Sequence, residues 1–229
     1  MAVQWRRTQP AMGFFLEASG TLEAFAAATP VRFGPLRRWI RNERRALTRE
    51  TREVLRLARR RLPARATVIT ISRSSLVRDA LGGLPAGRRP ALVLALRSRP
   101  GGEGVQLARE LHERAVRAMV VEDGSLGRLT QPIQLVLLGA DALLPGGDLV
   151  HKVGTCPLAR WARRRGIPVI VLAGRSKFVR ALPEALRLPS RFDRTPAAYI
   201  TEVWSDDPGS TVARPGERGR RPPQKRTRP

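Results

Sequence analysis

With 229 residues, 42% of them hydrophobic, the chain can build one substantial α/β domain and a smaller appendage. No apolar run nears the roughly 18 residues of a membrane span, no secretory leader pattern opens the chain, and a lone cysteine excludes an internal disulfide, so a cytoplasmic setting is expected. The net charge of +24, from 43 basic against 19 acidic side chains, invites polyanions, yet 5% aromatic content excludes the stacking platform of a single-strand binder.

Along the chain, the first residues, with Arg6, Arg7 and Pro10, read as a loose start. Phe14 to Ala28 spaces its apolar residues helically and stops before Thr29-Pro30. A longer amphipathic helix is predicted from about Pro35 to Leu62, with Leu36, Ile40, Leu47, Val54 and Leu57 on one side. Its other side carries Arg37, Arg38, Arg41, Arg44, Arg45, Arg59 and Arg60, and Pro63 ends it. Short aliphatic strands then follow at Thr67–Ile71, Ala91–Leu96, Met119–Glu122, Leu135–Leu138 and Val169–Leu172. Between them, helices are predicted near Ser75–Leu81, Gly104–Arg114 and Pro157–Arg165. Such alternation predicts right-handed crossovers and an open, mostly parallel α/β sheet covered on both faces. From Ser205 onward almost nothing is apolar, so a disordered, basic Pro/Gly/Arg-rich tail is expected, with non-specific polyanion binding. The expected organisation is a helical region over 1–63, a Rossmann-like α/β domain over 64–204 and the tail over 205–229.

The chain is organised around Leu135 to Thr155, LVLLGADALLPGGDLVHKVGT. A buried strand runs into Gly139-Ala140-Asp141, which puts a carboxylate at the strand's carboxyl end. Pro145-Gly146-Gly147-Asp148 is turn chemistry, with two glycines free to take positive φ. A second apolar run leads to His151, Lys152 and Gly154-Thr155, which can cap a helix beginning near Cys156. In an open parallel sheet, ligands sit beyond the carboxyl ends of strands and at helix N-termini, where N–H groups hold anions. An acid, a base and a helix start this close together suit a phosphorylated small molecule. The same spacing equally fits a strand, a glycine loop and a helix without a site. The loop after the first strand, Thr70-Ile71-Ser72-Arg73-Ser74-Ser75, offers a second anion cradle or an ordinary serine cap. Asp141, desolvated among aliphatic side chains, is the acid/base candidate; the alternative is a turn cap or a partner for Lys152. Cys156 stands at a helix start, where the dipole could lower its thiol pKa, but a packing cysteine is the favoured reading. Two histidines, His112 and His151, are too few for a zinc site, and no metal or cofactor is expected.

Gly139-Ala140-Asp141, Gly147-Asp148 and Lys152-Val153-Gly154-Thr155, in that order and spacing, resemble the signature of the translation initiation factor 2B alpha/beta/delta-related family. That family includes methylthioribose-1-phosphate isomerase and ribose-1,5-bisphosphate isomerase. Phe192-Asp193-Arg194-Thr195-Pro196 resembles its closing segment, whereas Gly146 and His151 stand where asparagine is common. The resemblance spans about residues 30 to 204. It implies a ribose-5-phosphate isomerase/CoA-transferase-like sheet, a small N-terminal helical region and a homo-oligomer, dimer or higher. It also implies that Arg99, in Arg97-Ser98-Arg99-Pro100, meets a ligand phosphate, as a guanidinium fork suits two phosphate oxygens. Arg73, Ser74, Ser75, His151, Lys152, Gly154 and Thr155 would complete the substrate contacts. Asp141 resembles a catalytic aspartate, while the isomerases' catalytic cysteine falls on Ser72, whose hydroxyl has no readily ionised form at neutral pH. Asp123 matches an Asp-Ser-Ala loop of the family, with turn capping favoured. Three readings follow. The first is a factor-2B-like protein binding a sugar phosphate or nucleotide phosphate with catalysis lost. The second is an aldose–ketose isomerase of a phosphorylated pentose using Asp141 with Ser72 or another partner. The third is a basic nucleic-acid or ribosome-associated binder.

Overall fold

The computed structural model describes residues 33–179 and 190–207, together with 23, 24, 27 and 188. Of the helix expected over Phe14–Ala28, only 23, 24 and 27 are described, each helical, and most of the tail lies outside the described residues. A long helix, α1 (Phe33–Arg61), opens the continuously described stretch, with Val54 and Ala58 buried near its end and three arginines in its last turn. Strands and helices then alternate: β1 (Thr67–Thr70), α2 (Ser75–Gly82), β2 (Leu92–Leu96), α3 (Glu103–Glu113), β3 (Ala118–Val121) and β4 (Leu135–Leu138). After β4 come two short strands, β5 (Ala142–Leu143) and β6 (Leu149–Lys152), then α4 (Thr155–Arg164), β7 (Val169–Leu172), β8 (Phe192–Thr195) and β9 (Glu202–Trp204). β4 and β7 coincide with the sequence expectation, and from α1 onward the other expected elements differ from it by at most two residues at either end, the usual fraying of element ends.

The main sheet has six strands, all parallel, in the order β3-β2-β1-β4-β7-β9. Its strand order reverses between β1 and β4, where Val68 pairs with Leu135 and Ile69 with Val136. The continuous aliphatic runs are explained by burial on both faces. Val68, Val93, Leu135, Leu137, Ile170 and Leu172 face the core under α1, α2 and α3. Their alternate neighbours Ile69, Leu94, Val136, Leu138, Val169 and Val171 face the core under α4. The fold is thus an α/β sheet preceded by a helix, as expected, and no helix among the described residues is long and apolar enough to cross a membrane.

Two features were not anticipated. A second, antiparallel sheet, β5-β6-β8, takes two strands from between β4 and β7 and its third from between β7 and β9, with its own small core of Ala142, Leu144, Val150 and Val179. Its turn is the one foreseen: Gly146 and Gly147 take φ of 90° and 91°, and the Gly147 N–H donates to the Leu144 carbonyl at 2.9 Å. The body also continues past Ser205. Asp206 accepts from the Arg175 backbone N–H at 2.7 Å and from its Nε at 2.8 Å, so this stretch is docked.

Candidate functional site

The loops that leave β1, β2 and β4 meet beyond the carboxyl ends of those strands, at the reversal of strand order where open α/β sheets bind ligands. Ser72, two residues past β1, has φ of 69°, a left-handed conformation that few non-glycine residues adopt. Its N–H donates to the Ser98 hydroxyl at 2.7 Å, and that buried hydroxyl donates in turn to the Leu96 carbonyl at 2.9 Å. The ends of β1 and β2 are therefore stapled through side chains. Asp123 holds the next turn, one oxygen accepting from the Ser98 N–H and the other from the Arg99 N–H, both at 2.8 Å. That is the capping role favoured for it.

Gly139, at the end of β4, has a specific steric reason to be glycine. A Cβ there would lie 2.4 Å from the Ser74 hydroxyl and 3.6 Å from His151 Nε2. Gly139 thus brings the first loop and β6 together. Gly154 does the same from the far side, since a Cβ on it would lie 2.9 Å from Ile71 Cδ1.

His151 is buried, and its hydrogen bonds fix its tautomer. The Thr155 hydroxyl donates to the Lys152 carbonyl at 2.6 Å, so it can only accept from His151 Nδ1–H, 3.0 Å away. Nε2 is left unprotonated. Burial holds the ring's pKa below the usual histidine value; the Asp141 carboxylate opposes that, while Lys177 and Lys152 reinforce it. Asp141 itself is half-buried, with its N–H donating to the Val150 carbonyl at 3.0 Å.

Lys152 is buried and its ammonium donates to Glu103 at 2.6 Å, not to Asp141. Glu103 opens α3, and its second oxygen is buried with no partner among the described residues. The two arginines expected at the site turn outward instead. The Arg99 guanidinium reaches Glu122 at 3.3 Å and is 70% exposed, and Arg73 pairs with Glu110 at 2.5 Å. Ser74 caps α2, accepting from the Val77 N–H at 3.4 Å, and Ser75 is the helix's first residue.

The N-terminus of α4 is occupied by the chain's own carboxylate. Asp193, on β8, accepts from the Gly154 N–H at 2.9 Å and the Cys156 N–H at 3.1 Å. Thr155 therefore does not cap the helix; Asp193 does. Burial holds the Asp193 carboxyl above the usual range, against the pull of those N–H donors. Burial and then the Asp193 charge push the Cys156 thiol up, opposite to the lowering that a free helix start would give.

Lys177 is the site residue that the sequence reading missed. Burial holds its ammonium below the ordinary lysine pKa, with Asp141 and Glu50 opposing, and no ion pair to it is present among the described residues. Glu50, buried on α1, accepts from the Ser176 N–H at 3.2 Å and sits where a Cβ on Gly174 would approach within 2.5 Å of its oxygen. A signal was available: among 43 basic residues only Lys152, Lys177 and Lys225 are lysine, and two of these three gather here. Among the described residues no cluster could hold a metal ion. The arrangement can bind an anion through two ammonium groups and can exchange protons through Asp141 and a neutral imidazole.

A chain named methylthioribose-1-phosphate isomerase from Oleidesulfovibrio alaskensis is 37% identical over 125 residues, 53% of this chain and 35% of that one. A ribose 1,5-bisphosphate isomerase of Haloferax volcanii is 38% identical over 76 residues, 33% of this chain and 24% of the relative. The chain thus spans about a third or less of the length of these relatives. The solved translation initiation factor eIF-2B of Pyrococcus horikoshii OT3 superposes with a TM-score of 0.76 at 24% identity, covering 89% of this chain and 78% of that chain. The eIF2B delta subunit of Chaetomium thermophilum superposes with a TM-score of 0.69 at 25% identity, covering 87% of this chain and 75% of its own. Residues 36–190, well over half of the chain, match the Initiation factor 2 subunit family, and the chain belongs to that family.

Proposed function

We propose that the crevice beyond β1, β4 and β6 binds a phosphorylated ribose or a nucleotide phosphate. The observation that carries this reading is the gathering of Lys152 and Lys177 around a neutral His151, in a chain that otherwise uses arginine. A buried ammonium costs several kcal/mol unless an anion joins it. Lys152 has Glu103, whereas the half-buried Lys177 has no ion-pair partner among the described residues, and a phosphate group would supply one. Relatives named for methylthioribose-1-phosphate and ribose 1,5-bisphosphate support a 1-phosphorylated ribose as the ligand class.

One observation favours a second reading, an aldose–ketose isomerase. The charge of Asp141 acts on His151, whose Nε2 carries a lone pair. Isomerisation moves one hydrogen from C2 to C1 and relocates the carbonyl, so it needs a group that takes up a proton and one that returns it. Ser72 is a poor proton acceptor, which leaves Asp141 and His151 as the pair.

Thermal-shift titration with ribose 1-phosphate, ribose 1,5-bisphosphate and nucleoside monophosphates tests the binding reading. A ligand at about 100 times its Kd adds about 2.7 kcal/mol of stability, a shift of several degrees. Lys177→Met should abolish that shift. Asp141→Asn should preserve it, since a carboxylate near a phosphate is repulsive, and should remove any turnover. No shift with any of these ligands would sink the binding reading. Wild-type turnover that dies with Asp141→Asn would promote the isomerase.

A further inference from the structure

We infer that α1 presents a docking surface for the phosphate backbone of double-helical nucleic acid, separate from the crevice and from the basic tail. The helix carries eleven arginines against three glutamates. Arg37, Arg41, Arg44, Arg45, Arg52 and Arg59 recur at intervals of about three to four residues or their multiples, which puts them on one side of a helix of 3.6 residues per turn. Arg41, Arg44, Arg45, Arg49 and Arg52 flank a groove with Thr48 and are all exposed. None of these five is in an ion pair among the described residues, in contrast to Arg73, Arg78, Arg97, Arg99 and Arg114 on the body. The buried Glu50, Val54 and Ala58 lie on the opposite side of the helix, so among the described residues the docking of α1 leaves Arg41 to Arg52 open.

Three observations choose the occupant. From Arg37 to Arg60 the helix is about 34 Å long at 1.5 Å per residue, close to one turn of a nucleic-acid duplex. A rigid rod of that length, with cations about every 5 Å, matches a regular phosphate ladder better than a compact anion. No aromatic residue lies among Arg41 to Arg52, which removes the stacking that single strands require. The exposed Phe33 and Ile40 stand four residues before Arg37 and Arg44, at the start of the helix; no large apolar side chain is exposed from Arg41 to Arg52, so along the groove a membrane would find charge but no anchor.

The inference does not rest on the crevice and is tested apart from it. Binding of the full chain to a fluorescent 20-base-pair duplex is measured by anisotropy across a series of salt concentrations. The variant R41Q/R44Q/R45Q/R49Q/R52Q is compared with R218Q/R220Q/R221Q/R226Q/R228Q, which removes the same charge from the tail. All five α1 positions are exposed and, among the described residues, unpaired, so melting should be unchanged, and sugar-phosphate shifts should persist. Each lost phosphate contact lowers the slope of log Kobs against log salt by about 0.9, so the α1 variant should lose about 4.5 in slope and at least 100-fold in affinity. The tail variant should lose far less. Equal losses in both variants would show that affinity follows net charge rather than this surface, and overturn the inference. Absent binding by the wild type, tighter binding to a single strand, or tighter binding to anionic phospholipid vesicles than to the duplex would each overturn it as well.

Discussion

At His151 the burden of burial falls on the charged form, and this couples stability to pH. The unfolded ring titrates near 6.5 and the folded ring below it, so in the window between the two values the unfolded chain binds more protons. Stability held above about pH 6.5 is therefore lost as pH falls through and below that value. Melting temperatures between pH 7.5 and 5.0 should fall more steeply for the wild type than for His151→Asn, which removes the titrating ring. Parallel curves would show that the ring is not held neutral. His151 and Lys152 were legible as site candidates because they follow a glycine turn at a strand end. Arg99 and Arg73 were equally legible as cations, but nothing in the sequence shows that Glu122 and Glu110 are near enough to claim them. Asp193 was visible in its Phe-Asp-Arg-Thr-Pro segment, yet its role depends on β8 pairing with β6, a contact across some forty residues.

Among the elements, α3 shows how tightly the loops around the crevice are set. A Cβ on Gly104 would lie 1.7 Å from the Leu96 carbonyl oxygen, so α3 rests on the end of β2 with no room for a methyl group. Gly→Ala inside a helix ordinarily stabilises by up to about 1 kcal/mol. Here the sign should reverse: Gly104→Ala should cost about 3 kcal/mol in urea denaturation, the upper range for overpacking. A gain in stability would mean that α3 is not seated on β2. The large parallel sheet was readable because strands buried on both faces leave unbroken aliphatic runs, as in Leu135 to Leu138. The small antiparallel sheet was not. β5 has two residues, and all four residues of β6 are buried although two of them are polar, so no alternation between faces marks it.

At the scale of the whole molecule, the boundary between body and tail lies later than composition suggests. Deleting 208–229 removes almost no apolar surface and should leave urea-induced unfolding unchanged. Deleting 206–229 also removes Asp206, whose side chain is 4% exposed and holds Arg175, and should cost a further 1–2 kcal/mol or about that. Equal midpoints for the two truncations would show that Asp206 contributes nothing. The opposite end of the body is closed by α1. Arg61 pairs with Glu202 at 2.6 Å and lies 4.8 Å from the centre of the Trp204 ring, so the base of α1 is clasped by β9. During synthesis the residues between them emerge first, at about 5–20 per second, so on the order of ten seconds pass before the clasp can close. Through that interval a nascent chain carries the arginine-rich α1 with its base unlatched, beside a ribosome whose RNA presents backbone phosphates. Completion of the C-terminal strand is what ends the wait.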